Sequence, residues 1–259
     1  MCYTVIVDEG KEVKPYHRKE KYIMDKMYVL VLDVETAGDV ETNPLVYDIG
    51  AKIVDLAGNV VERGSWVIYD IYTQRDLMAS AYYAAKLPQY EHDMANGTRK
   101  MARLETVRKI LWKWMFKYNA FTVAAYNASF DRRALNNTVR TLDMGSYFFP
   151  FKAEFIDIWR MACLSICMMK SYHQMAYENG WYSDAGNVRT NAETVYSFLT
   201  NAPDFEESHT ALEDVDIETE IMLYCWKKVK AQDRGIVGNP WKIPQKEWIF
   251  HEAKFDEII

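Results

Sequence analysis

The sequence predicts one large α/β domain in which a mixed β-sheet is flanked by helices. Residues 27–33 form a short, continuous apolar run rich in strand-forming residues, which is typical of a buried central strand. Two apolar stretches on either side of Ala57-Gly58-Asn59 predict a β-hairpin. Strand-like runs then alternate with amphipathic helical patterns, and this alternation favours a layered α/β architecture.

The middle of the chain supplies the next elements in order. Residues 71–98 are mixed in character and predict a loop with one short helix. Residues 121–127 predict another buried strand, and either Asn127 or Ser129 can cap the helix that follows. Between these segments, apolar residues recur at spacings of three and four and predict an amphipathic helix: Leu104, Val107, Leu111 and Trp114.

The last third of the chain predicts a strand, a long helix and an aromatic tail. Residues 153–159 predict a strand that continues into a helix. The last strong helix is expected to begin near Thr210, which forms a capping-box pattern with Glu213. Glycines and prolines end this pattern from Gly235 onward. The tail carries four large aromatic residues, so we expect it to pack on the body, with docking of a partner as the alternative: Trp241, Trp248, Phe250 and Phe255.

Composition limits the class of protein. The chain has 259 residues and is 49% hydrophobic, which is enough for one large domain with a real core. It shows neither a secretory signal nor an apolar run that approaches the length of a membrane span. The cysteines lack CxxC spacing and are expected to be reduced and mostly buried, as in a cytoplasmic protein: Cys2, Cys163, Cys167 and Cys225.

Charge alone does not indicate a nucleic-acid-binding protein, because the formal net charge is −6. The charge is uneven, however. Residues 99–117 contain seven basic residues against Glu105 alone: Arg99, Lys100, Arg103, Arg108, Lys109, Lys113 and Lys117. A solvated helix face is the simplest interpretation, and a surface that tracks phosphates becomes an alternative only if an acidic site exists elsewhere.

Acidic residues at the ends of predicted elements suggest a metal site. Asp33 and Glu35 lie two residues apart at a strand end, so their side chains project to the same side. Two such carboxylates repel unless cations lie between them, and their hard oxygen ligands suit Mg²⁺ or Mn²⁺. Taken alone, this pattern is also common among surface acids.

Three further residues complete the candidate site. Asp131 and Asp214 fall on the first turns of two predicted helices, where an acid is favourable to the helix dipole whatever its role. His209 precedes Asp214 by five residues, a spacing that would place them on different faces of a continuous helix. If the helix begins near Thr210, His209 lies on a lead-in and can reach the same centre, where it can act as a general base.

These residues lie in three strings, DVET, NASFD and HTALED, which resemble in sequence and order the exonuclease motifs of the DEDDh family, the DnaQ-like 3′→5′ exonucleases. The resemblance spans residues 27–230. It implies an RNase H-like α/β fold with a mixed five-stranded sheet flanked by helices. Residues 1–26 and 231–259 lie outside it, so we expect an N-terminal extension, an exonuclease domain and an aromatic C-terminal extension that packs on the body.

The resemblance also implies roles for individual residues. Two Mg²⁺ or Mn²⁺ ions would be held by four catalytic acids: Asp33, Glu35, Asp131 and Asp214. His209 resembles the general base of the family. Neighbours of the bound nucleotide would be Val34, Thr36, Asn127 and Phe130, for which a packing role is equally expected. An acid at the position of Asp157 often lacks a catalytic duty in this family, and Asp48 and Asp216 suggest surface acids only.

The implied function is a metal-dependent 3′→5′ exonuclease that acts on single-stranded 3′ ends by a two-metal mechanism, with DNA weakly preferred. The alternative is an RNA exonuclease resembling RNase T or oligoribonuclease. A non-catalytic module with the same fold, bound to a polymerase or to nucleic acid, is less favoured because all five motif residues are present. An RNase H-like endonuclease or integrase is disfavoured by the DxE start and the HxxxxD ending. A polymerase or a second copy of the chain is left open as a protein partner.

Overall fold

The structure of the protein is a computed structural model that describes residues 27–81 and 83–242. Its centre is a six-stranded sheet in the order β4-β3-β2-β1-β5-β6. The strands are β1 (Tyr28–Ala37), β2 (Leu45–Asp55), β3 (Val60–Ile68), β4 (Lys100–Ala102), β5 (Thr122–Ala125) and β6 (Glu154–Asp157). The pairs β1–β2 and β2–β3 are antiparallel, whereas β3–β4, β1–β5 and β5–β6 are parallel. The predicted mixed sheet is confirmed, with a sixth strand, β4, that is too short to produce a sequence pattern.

Helices cover both faces of this sheet. They are α1 (Tyr69–Tyr72), α2 (Arg75–Met78), α3 (Leu87–Ala95), α4 (Leu104–Tyr118), α5 (Ala128–Thr141), α6 (Ile158–Cys163), α7 (Lys170–Asn179), α8 (Ala192–Thr200) and α9 (Ala211–Trp226). Leu30 and Leu32 of β1 pack in one apolar cluster with α4 and α5. Val29 and Val31 pack in a second cluster with α6 to α9. Alternate residues of the central strand therefore contribute to two cores on opposite faces.

The predicted hairpin is present between β2 and β3. Gly58 has a φ of +94°, a conformation that glycine adopts readily. The carboxylate of Asp55 accepts hydrogen bonds from the backbone N–H groups of Ala57 and Asn59, at 2.9 and 2.8 Å. These bonds stabilise the turn at the position that the sequence indicated.

Residues 71–98 contain more helix than the sequence predicted. They include α2, a 3₁₀ turn at Ala84–Lys86, and α3, where we expected one short helix. Met78 of α2 and Tyr90 of α3 are buried in the core of the domain. Burial stabilises these short helices, so a local sequence pattern could not reveal them.

The basic segment 99–117 is a solvated face except at Arg99. Arg99 lies before α4, is 7% exposed, and forms an ion pair of 2.7 Å with Asp48. Arg108 donates to the carbonyl oxygen of Met144, and Lys117 pairs with Glu62. Arg103 also pairs with Asp70 and Lys109 with Glu105, so five of the seven basic residues have partners within the protein. Only Arg99 among the seven is buried, and the others are exposed or half-buried, as expected of a solvated face.

Residues after α9 contact the body as far as the structure describes them. Gly235 forms a β-bridge with Ile156, and the Trp241 ring stacks on Trp159 with 5.0 Å between centroids. The remaining aromatic residues of the tail and residues 1–26 lie outside the described residues. The division into a domain with two extensions stays a prediction.

Within residues 27–81 and 83–242, no helix is both long and apolar enough to cross a membrane. Cys163, Cys167 and Cys225 are buried free thiols, as expected, and Cys2 lies outside the described residues.

Candidate active site

The first two acids lie near the end of the central strand. Asp33 pairs with Gly50 of β2 and Glu35 pairs with Asp48 in the antiparallel ladder. The register shifts after Glu35, which indicates a β-bulge at the edge of the site. As their spacing predicted, both carboxylates line the same cleft.

Asp131 reaches the cleft from the first turn of α5. The chain enters this helix through Asn127, whose φ of +66° makes the sharp turn from β5. The backbone N–H of Asn127 donates to Asp157 at 3.2 Å, and Asp157 also accepts from the N–H of Arg160 at the start of α6. Asp157 thus connects the starts of α5 and α6 through hydrogen bonds. Asn127 occupies the N-cap position, but its side chain accepts from Ser129 instead of from the helix backbone.

Asp214 and His209 come from the start of α9. This helix begins at Ala211, so the predicted start is confirmed, and the hydroxyl of Thr210 donates to the carboxylate of Glu213. His209 has a φ of +52° and therefore lies outside the helix. Because the backbone of His209 is left-handed, His209 and Asp214 both reach the same cleft although they are five residues apart.

Gly50 and Asp48 on β2 bring α9 against the sheet. A Cβ atom at Gly50 would lie 2.2 Å from the carbonyl oxygen of Ala211, so only glycine allows this approach. Asp48 is fully buried and accepts hydrogen bonds from the N–H of Ala211 at 3.2 Å, from Tyr90 at 2.8 Å and from Arg99 at 2.7 Å. The expectation that Asp48 is a surface acid was wrong, because β2 is covered on both faces.

The cleft is strongly acidic. Its lining includes six carboxylates: Asp33, Glu35, Asp131, Glu207, Asp214 and Glu218. The other lining residues are Val34, Tyr83, Tyr126, Phe130, Ala192 and His209. Among the residues that the structure describes, no lysine or arginine lines this cleft to balance the carboxylates.

The predicted neighbours of the nucleotide divide into two groups. Val34 and Phe130 line the cleft, whereas Thr36 and Asn127 do not belong to its lining. Glu207, Glu218 and Tyr83 were not anticipated. A signal existed for Glu218, because it follows Asp214 by four residues and so shares its helix face. The sequence offered no comparable signal for Glu207 or Tyr83.

Burial and mutual repulsion disfavour the charged forms of these acids. Burial, followed by the charges of Asp33 and Asp214, raises the pKa of Glu35 to about 10. Burial and the charge of Asp33 raise the pKa of Asp214 to about 9. Burial also raises the pKa values of Asp33 and Asp131 well above their usual range. A cluster of this kind carries its full negative charge at neutral pH only beside cations.

The donor atoms fit divalent cations. Carboxylate oxygens of Asp33, Glu35 and Asp214 lie within 4.8 Å of one another. One oxygen of Asp131 and one of Asp214 are buried without a hydrogen-bond partner. Buried polar atoms are rarely left in this state, and hard oxygen donors are the ligands that Mg²⁺ and Mn²⁺ prefer.

His209 lies at the edge of this cluster with its side chain 30% exposed. Its ring stacks on Tyr83, with 4.3 Å between centroids and 11° between planes, and its Nδ1 lies 3.9 Å from a carboxylate oxygen of Glu207. Burial lowers the pKa of His209 below its usual 6.5, so the ring is mainly neutral at pH 7 and can accept a proton.

Comparison with known proteins gives similarity at the level of the fold. No family model and no curated protein sequence matches the chain. A 3′-exonuclease whose structure describes 3′-end recognition of the histone mRNA stem-loop superimposes with a TM-score of 0.55 at 11% identity, over 81% of this chain and 84% of that one.

Two further structures agree with this result. The nuclease domain of 3′hExo, a DEDDh family member bound to rAMP, superimposes with a TM-score of 0.52 at 13% identity, over 81% of this chain and 96% of that domain. A full-length 3′-exonuclease gives 0.53 at 13% identity, over 82% and 90% of the two chains. The chain therefore has the RNase H-like α/β fold of the DEDDh 3′-exonucleases, as its sequence predicted.

Proposed function

We propose that this protein is a metal-dependent 3′→5′ exonuclease that removes nucleotides from single-stranded 3′ ends. The observation that carries the proposal is the convergence of Asp33, Glu35 and Asp214, within 4.8 Å of one another, beside a neutral histidine. The fold supports it, because the three similar structures described above are 3′-exonucleases. A non-catalytic module is less favoured, since a structural cluster would not require this many unpaired acids.

In this proposal Asp33, Glu35, Asp131 and Asp214 hold two Mg²⁺ or Mn²⁺ ions. When bound, such ions supply charge neutralisation at the phosphate, activation of the attacking water and stabilisation of the leaving 3′ oxygen. His209 accepts the proton of the attacking water on a ring nitrogen. Nδ1 lies 3.9 Å from a carboxyl oxygen of Glu207, and a proton on Nδ1 would leave Nε2 as the acceptor.

The apolar lining of the cleft would receive the terminal nucleotide. Val34 and Phe130 present surfaces on which a base can pack. Asn127 acts indirectly, through the turn that begins α5, and Thr36 is buried at 6% exposure beside the bulge of β1.

We infer single-stranded DNA as the first substrate class from the sequence. RNA is the competing candidate, since one similar structure concerns an mRNA stem-loop and another holds rAMP. A polymerase or a second copy of this chain as protein partner stays a prediction.

The direct test uses purified protein and oligonucleotides of one sequence, as single-stranded DNA and as RNA, each labelled at the 5′ end. With Mg²⁺ or Mn²⁺ we expect a ladder that shortens progressively from the 3′ end, and EDTA should abolish it. A circular single-stranded substrate should remain intact. Cleavage of the circle, or undiminished degradation in EDTA, would contradict the proposal. The ratio of rates on DNA and RNA decides the substrate class.

The His209→Asn variant tests the general base. Asparagine tolerates a positive φ, so the backbone before α9 should be retained while the titrating ring is lost. We expect the rate of hydrolysis to fall by about 10²- to 10⁴-fold, the range typical of general-base catalysis, with metal affinity nearly unchanged.

The pH profile adds an independent measurement. As pH falls, protonation of His209 should reduce wild-type kcat/KM, and the midpoint should lie below 6.5 because burial lowers this pKa. In His209→Asn, kcat/KM should no longer decrease at low pH through this titration. His92→Asn, a change at an exposed histidine of α3, is the matched control. Wild-type turnover in His209→Asn would remove His209 from the mechanism.

A further inference from the structure

Glu218 is a buried acid for which the proposed function has no role. It lies on α9, one turn after Asp214, so both side chains project from the same helix face into the cleft. Its exposure is only 3%. Its Oε2 atom has no hydrogen-bond partner. A carboxylate buried in this way normally has a donor or a basic partner, because burial of an unpaired polar group is costly.

Asp48 shows what a structural buried acid looks like in this protein. It is as buried as Glu218, and its Oδ1 likewise has no hydrogen-bond partner, but its Oδ2 accepts from Arg99, Tyr90 and the backbone of Ala211. The charges that act on Glu218 are instead negative, with Asp33 and Asp131 the strongest. The described part of the cleft lining provides no lysine or arginine to compensate them. A cation from solution would supply the missing partner.

We propose that Glu218 is a fifth metal-holding carboxylate of this cleft, binding a divalent cation through Oε2 directly or through a water ligand of the ion. This inference rests on the proposed metal centre. Asp33, Glu35 and Asp214 form one compact donor group, and Asp131 and Glu218 line the same cleft outside that group. Glu218 therefore adds a carboxylate donor to the cleft beyond this compact group. Mg²⁺ keeps several waters, so a carboxylate one water away still contributes to binding.

The test compares Glu218→Gln with Glu220→Gln, an exposed glutamate on the same helix. Mn²⁺ binding is followed by titration calorimetry and by the loss of the free-Mn²⁺ electron paramagnetic resonance signal. We expect the Mn²⁺ affinity of Glu218→Gln to fall by at least about tenfold, as for other residues that support a metal site. The Glu220→Gln variant should bind as the wild type does.

Thermal unfolding separates this role from a purely structural one. Without metal, Glu218→Gln should unfold at the wild-type temperature or above it, because the amide has nearly the same volume as the carboxyl group and cannot place a charge in the acidic cleft. With saturating Mn²⁺, its increase in Tm should be smaller than that of the wild type. Should Glu218→Gln fail to fold, Glu218→Asp retains the charge on a shorter side chain and is expected to show a partial loss of affinity.

The outcomes distinguish the two proposals. Wild-type Mn²⁺ affinity and stoichiometry in Glu218→Gln, or in Glu218→Asp where that variant is needed, would overturn the role of Glu218 and leave the proposed function standing. Absence of Mn²⁺ binding by the wild-type protein would overturn the metal centre itself, and with it both proposals.

Discussion

Asp33→Asn is expected to abolish metal-dependent degradation of single-stranded oligonucleotides while the protein remains folded. Asp33 is central to the cleft, since its charge acts on Glu35, Asp214 and Glu218. Its loss removes a shared ligand, and metal ions typically contribute several kcal/mol to transition-state stabilisation. We therefore expect a decrease of at least about 10³-fold in single-turnover rate with saturating Mg²⁺.

Although Asp33→Asn should lose activity, its stability without metal should equal or exceed that of the wild type. Asp33→Asn removes one charge from a group of repelling acids, so the pKa values of Glu35 and Asp214 should fall toward their usual range. Thermal unfolding in EDTA should occur at the wild-type temperature or higher. Asp184→Asn, a change at an exposed acid far along the chain, is the control. Full activity in Asp33→Asn would contradict the proposed function, and Asp214→Ala should reproduce the loss.

Gly50→Ala is expected to impair both stability and activity, although Gly50 touches neither metal nor substrate. The added Cβ would lie 2.2 Å from the carbonyl oxygen of Ala211 and 2.4 Å from the N–H nitrogen of Leu212. These are backbone atoms that cannot rotate away, so the start of α9 must move outward. That movement lengthens the hydrogen bond from Ala211 to Asp48 and displaces Asp214 from its partners on β1.

The expected loss of stability is about 1–3 kcal/mol, the usual cost of inserting a carbon into a packed interior. Activity should fall by about 10²-fold, because small displacements of catalytic groups are costly. Denaturant unfolding and single-turnover kinetics measure the two effects.

Gly235→Ala provides a matched control, because nothing lies within 4 Å of a Cβ atom at that position. It should leave both quantities close to those of the wild type. Wild-type stability in Gly50→Ala would show that α9 is free to shift and that Gly50 does not determine its position.

Asp33→Asn and Gly50→Ala change the same site in different ways. Asp33 is the proposed metal ligand on the central strand, and Gly50 sets the distance between that strand and the helix that carries Asp214. The acids converge because one strand, two helix starts and one close backbone contact meet at a single cleft. Repulsion among them makes that arrangement unfavourable without cations, so we expect metal ions to stabilise the folded protein.

Local sequence patterns were sufficient to predict the main strands and helices and part of the candidate site. The apolar run before Asp33, the hairpin at Gly58 and the start of α9 at Ala211 each depend on neighbouring residues, and each lies where the sequence indicated. Val34 and Phe130, which adjoin the motif acids, line the cleft, and their contact with a nucleotide stays a prediction. The fold class followed from the order of these elements.

Tertiary contacts decided what no local pattern encodes. Asp48 was expected at the surface, yet it is buried because Arg99 and the start of α9 pack against it from distant parts of the chain. Glu207 and Tyr83 line the cleft only because the folded chain brings the segment before α9 and the segment before α3 together there. The sequence by itself indicated which residues are the candidates for the proposed chemistry and on which elements they lie. The packing of those elements decided which acids are buried together in the cleft. Burial and charge repulsion depend on distances in space and not on separation along the chain.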